Sequence, residues 1–243
     1  MRVWRTRIIN VCMEPSKAKF QTLIKYFVDK YSLELLLDGK GISNWQQERS
    51  RFYFAKLLEF SMALEKIRKY KLYFSEFYPV TTNISEAEVI EYHWHSYVQD
   101  FYILKERAIK PIGALQNDLS RYGISNPGDI KKALEHLKVQ VIKNLRQANE
   151  LRRKQTHDTT ILDAGLVRAK ALKIIEGLNK TYVFDSGEIE REYRELIEKK
   201  KQQFIDMATR NDIGMQALCD FYIPRFGYIF ALLNGDDPSI FEM

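Results

Sequence analysis

Pro127-Gly-Asp-Ile-Lys-Lys-Ala-Leu-Glu-His-Leu-Lys-Val-Gln-Val-Ile-Lys-Asn-Leu-Arg-Gln-Ala148 is the stretch whose reading decides the fold. Ile130, Leu134, Leu137, Val141, Leu145 and Ala148 recur at intervals of three and four, which puts them on one stripe of a helix. Pro127 suits the first helical position, Asn126 is a candidate cap, and Asp129 complements the helix N-terminus. A stripe of this length needs a partner to cover it, so the chain must supply other helices.

Working outward, the flanking sequence does so. Between Trp45 and Tyr78 there is neither glycine nor proline, and apolar residues crowd several faces, which predicts one long buried helix stopped by Pro79. Ser85-Glu-Ala-Glu88 has the spacing of a capping box. The helix it starts carries Ile90, Trp94, Tyr97, Phe101, Leu104 and Ala108 inward, and Pro111 with Gly113 is expected to kink or end it. On the C-terminal side Ala164–Gly177 reads as a short helix. Ser186 is placed to cap a charged helix from about Glu188 to Asn211, with Ile189, Tyr193, Leu196, Ile197, Phe204 and Ala208 inward. A separate apolar segment, Met215–Leu233, is interrupted by Pro224 and Gly227.

Residues 1–45 read as an N-terminal accessory segment, with a strand or extended arm over 3–13 and a helix from Ser16 to about Tyr31. Residues 46–243 read as the bundle and its C-terminal helical extension. The fold class expected is all-α: an antiparallel bundle of about six helices.

The totals narrow the function. Apolar content of 45% and aromatic content of 13% support a real core. Cys12 and Cys219 lack metal-ligand spacing and read as reduced thiols of a cytoplasmic protein. The basic N-terminus leads into no apolar run of signal-peptide or membrane-span length. There is no P-loop, dinucleotide-binding glycine motif, nucleophile elbow or His-Glu-x-x-His zinc helix. The imidazoles of His93 and His95 diverge on a helix, so they cannot share a metal; no metal or other cofactor is expected.

Charge is local. From Lys131 to Lys154 there are eight basic residues and two acidic ones, Glu135 and Glu150, an excess of six that equals the net charge of the whole chain. An anionic partner at one place fits this better than a diffuse coat. Lys143, Arg146, Arg153 and Lys154 are the candidate phosphate contacts. The run ends in Arg152 and His157, separated by four residues. Arginine forks onto phosphate oxygens, and histidine exchanges a proton near neutral pH.

Glu150-Leu-Arg-Arg-Lys-Gln-Thr-His157-Asp158 resembles the Arg-x(4–6)-His motif of HEPN-domain proteins, in the form found in abortive-infection members of that superfamily. The resemblance covers residues 46–210. It implies metal-independent RNA cleavage by a homodimer whose two motifs share one site, with Arg152 on the scissile phosphate and His157 in proton transfer. It also implies a toxin or phage-defence effector held in check by an antitoxin or another regulatory protein. Family members often carry Asn, Asp or His directly after the arginine; this chain carries Arg153. That departure motivates the alternative, a non-catalytic helical module binding RNA or an acidic protein.

Overall fold

A computed structural model of the protein describes residues 15–76, 83–123, 127–146, 150, 163–178 and 186–241. Every element among them is helical: α1 Pro15–Lys30, α2 Leu33–Asp38, α3 Trp45–Arg68, α4 Tyr70–Glu76, α5 Glu86–Asp118, α6 Pro127–Asn144, α7 Ala164–Leu178 and α8 Ser186–Leu233, with 3₁₀ turns at Leu119–Tyr122 and Pro238–Phe241. The all-α bundle is as expected, and no helix among the described residues is long and apolar enough to cross a membrane. The expected strand or arm over 3–13 lies outside the described residues.

The chain divides into two compact units. The first takes residues 1–65, 103–146 and 213–243. Its core is aromatic: Phe27 stacks on Phe230 at 4.8 Å, Tyr53 meets Phe230 edge-on at 5.4 Å, and Phe60 meets Tyr222 at 5.3 Å. Phe20, Leu23 and Phe27 of α1 are buried in it, so residues 15–38, within the segment set apart as accessory, contribute directly to this core. Directions follow from the pairings. Tyr53 and Phe60 of α3 meet α8 in reverse order, which makes those helices antiparallel, whereas Lys19 donates to the Asp220 carbonyl and Phe27 meets Phe230, so α1 runs parallel to α8.

The second unit takes residues 66–102 and 147–212. Trp94 lies flat on Phe204 at 4.9 Å with 5° between the rings, while Lys201 donates to Glu86 at 3.0 Å and Asn211 to the Tyr97 hydroxyl at 2.6 Å. These pairs advance together along α5 and α8, so the two helices run parallel here. Asp163 caps α7, accepting from the Gly165 and Leu166 amides at 2.9 and 3.2 Å and from Lys200 at 2.8 Å.

Three helices depart from their expected bounds. The run from Trp45 is divided at Lys69 into α3 and α4. By contrast α5 passes through Pro111 without ending, because its stripe continues beyond the proline in Ile112, Leu115 and Leu119, all buried. A helix-interior proline costs about 3 kcal/mol, and burying each of these side chains returns roughly 1.5–3 kcal/mol, so packing wins. The same reasoning makes α8 one helix of 48 residues rather than two. Met215, Leu218, Tyr222, Phe226 and Phe230 are all buried on either side of Pro224. Gly227 is required for space: a Cβ there would fall 2.6 Å from the Phe241 ring.

Candidate nucleic-acid interface

Helix α6 is two-faced. Ile130, Leu134, Leu137, Val141 and, just past its end, Leu145 are buried in the first unit. At about 100° per residue, Lys132, Lys143 and Arg146 fall on the opposite side and Lys131 on the flank, and all four are exposed. Lys132 and Lys143, eleven residues apart, point in nearly the same direction, roughly 16 Å along the axis. Among the described residues Lys131, Lys138 and Lys143 make no hydrogen bond or ion pair, and Lys132 meets only Asp129, at 3.8 Å with both side chains in solvent. Cations without protein partners are open to an external anion at little desolvation cost. Val139 and Ile142 are exposed between them, at 49% and 38%.

Of the sequence-derived site residues, Lys143 and Arg146 are therefore placed on one solvent face. Arg152, Arg153, Lys154 and His157 lie outside the described residues, as does Ala148.

No family model matches this chain, and no curated protein or solved structure is significantly similar to it.

The remaining polar groups read as architecture. In the first unit Asp118 accepts from Arg49 Nε at 2.6 Å and from the Tyr53 hydroxyl at 2.7 Å. In the second, Asp100 accepts from Lys66 at 2.9 Å and from the Tyr70 hydroxyl at 2.6 Å. Burial, reinforced by the neighbouring carboxylate, pushes both phenols well above their ordinary range, so each stays protonated and donates. Burial also raises the Tyr97 hydroxyl to about 12. No group of three or more His, Cys, Asp or Glu among the described residues is arranged to hold a metal ion.

Trp94 is in the core, as its place on the apolar stripe requires, with His93 stacked on Tyr73 at 5.6 Å. Burial lowers the His93 pKa from the ordinary 6.5. The unfolded chain then binds this proton more readily than the folded one, so His93 contributes stability above about pH 6.5 that is lost as pH falls through and below that value. Urea unfolding between pH 7 and 5 is expected to show wild-type stability falling, and His93→Gln is expected to flatten that fall. An unchanged pH dependence in the variant would assign the loss to other groups.

Proposed function

We propose that this chain is a cytoplasmic RNA-directed protein whose phosphate contacts include the solvent face of α6. The observation that carries the reading is the line of exposed cations on α6, backed by a buried apolar stripe that holds the helix rigid. Lys143 and Arg146 track the sugar–phosphate backbone, and Arg153 and Lys154 are proposed from the sequence as further phosphate contacts. Contacts of this kind position a strand without reading its bases.

The resemblance to HEPN-domain proteins refines the proposal to metal-independent endoribonuclease activity by a homodimer. Arg152 holds and polarises the scissile phosphate. The adjacent 2′-hydroxyl attacks phosphorus, the bond to the 5′-oxygen breaks, and His157 assists the proton transfers. The products are a cyclic phosphate and a 5′-hydroxyl. Such an enzyme suits a toxin or phage-defence effector with an antitoxin or regulatory partner. The second reading, a non-catalytic module binding RNA or an acidic protein, is favoured by Arg153 at the position after the motif arginine.

Single-stranded RNA binding measured against salt tests the common part of both. Lys143→Gln/Arg146→Gln is expected to weaken binding at least tenfold at low salt. It should also reduce the slope of log affinity against log salt by about 1.4, the value for two phosphate contacts on a single strand. An affinity and slope equal to wild type would remove α6 from the interface.

A further inference from the structure

A second cationic feature lies elsewhere in the first unit, at the turn between α2 and α3. Ser32 caps α2 by accepting from the Leu35 amide at 3.1 Å, and Gly39 ends it in the left-handed conformation, φ +73°. The Gly39 and Lys40 amides return to the Leu35 and Glu34 carbonyls at 3.1 and 3.3 Å, and Gly41 is again left-handed at φ +76°. The turn Asp38-Gly-Lys-Gly41 is thus fixed by its own backbone, with the Lys40 side chain exposed and, among the described residues, making no hydrogen bond or ion pair.

The Arg51 guanidinium lies against this turn. A Cβ built on Gly39 would stand 3.1 Å from Arg51 Cζ, 3.2 Å from Nε and 3.3 Å from Nη1, so the glycine is required for close approach as well as for its φ. Arg51 Nε is covered from solvent and has no acceptor, and no part of the guanidinium is hydrogen-bonded or ion-paired among the described residues. A covered N–H donor on a permanent cation without an acceptor is costly, and the nearest carboxylate along the turn, Asp38, is not bonded to it.

We propose that Arg51 and Lys40 form a phosphate-binding site over the Gly39–Gly41 turn. The Nη groups of the planar guanidinium offer forked donors, Lys40 adds a second, mobile charge, and together they suit a phosphate group better than a single carboxylate. Absence of a Cβ at Gly39 keeps the guanidinium pressed on the backbone with its donors held ready. This site does not rest on the RNA reading of α6: it involves different helices and different residues.

Two probes distinguish the phosphate's source, inorganic phosphate and a single-stranded RNA lacking terminal phosphates, each titrated calorimetrically into wild type, Arg51→Gln and Lys40→Gln. Wild type is expected to bind with saturation and to melt at higher temperature when loaded. Arg51→Gln should lose at least tenfold in affinity and that thermal shift, and Lys40→Gln should lose severalfold. Loss confined to inorganic phosphate assigns a free phosphate group, and loss confined to RNA assigns a backbone phosphodiester. Saturable binding of neither probe, or binding unchanged in Arg51→Gln, overturns the site. Should Arg51→Gln fail to fold, Arg51→Lys replaces it: it keeps the charge, loses the fork, and is expected to bind severalfold more weakly than wild type. Equal affinity in that variant likewise overturns the site.

Discussion

Asp118→Ala is expected to destabilise the protein by about 3–5 kcal/mol, the cost of leaving a partly buried cation without its partner. Asp118 is buried, and its side chain accepts from both Arg49 and the Tyr53 hydroxyl. Removing the carboxylate strands two donors at once, one of them a phenol with no exposure to solvent. Because the Arg49 side chain keeps 22% exposure, water can reach it, and the lower end of the range is the expected one. Asp118→Asn, which keeps the shape and an acceptor oxygen, should cost roughly 1–3 kcal/mol. Exchanging Arg49 and Asp118 together for apolar residues should recover part of the loss. Urea unfolding of the three variants checks this, and a loss below about 1 kcal/mol for Asp118→Ala would mean that the cluster contributes little.

Arg152→Ala and His157→Ala are each expected to reduce RNA cleavage by at least about 100-fold, while helicity, oligomeric state and RNA affinity change far less. A positioned acid–base group contributes about 10²–10⁴-fold, and a charge aimed at the reacting phosphate contributes about 10²–10³-fold. When both act on one transition state their losses do not add, so the double variant should be little worse than either single one. The Lys143→Gln/Arg146→Gln variant should behave oppositely, binding more weakly yet cleaving saturating RNA at close to the wild-type rate, because its contacts are made equally with bound substrate and transition state. Cleavage that persists in both Arg152→Ala and His157→Ala would leave the binding module as the reading to pursue.

Local chemistry made much of the fold legible. Ser85 and Glu88 pair as the capping box requires, the Ser85 amide donating to Glu88 at 2.7 Å and the Glu88 amide to the Ser85 hydroxyl at 3.3 Å. The inward residues of α5 and α6 were readable because a period of 3.6 separates buried from exposed faces, and the same period placed Lys143 and Arg146 in solvent. Prolines misled for a complementary reason. Pro111 and Pro224 are strong local breakers, but their helices are held by side chains contributed from distant segments, and no local rule weighs those contacts. The Arg49–Tyr53–Asp118 cluster was hidden for the same cause, since its partners stand 65 and 69 residues apart. Arg51 carried no signal at all in the sequence: a basic residue on a helix is ordinarily solvated, and only the approach of Gly39 shows otherwise. Arg152 and His157 were singled out by residue type and spacing, and they lie outside the described residues.

The proposed activity is tested most directly by incubating purified wild-type protein with single-stranded RNA in excess EDTA and determining the chemistry of any new ends. Fragments bearing a cyclic phosphate on one side of the cut and a 5′-hydroxyl on the other, formed as fast with the chelator as without it, are the predicted result. Intact RNA under conditions where the protein demonstrably binds it, or ends bearing 5′-phosphates, would contradict the account.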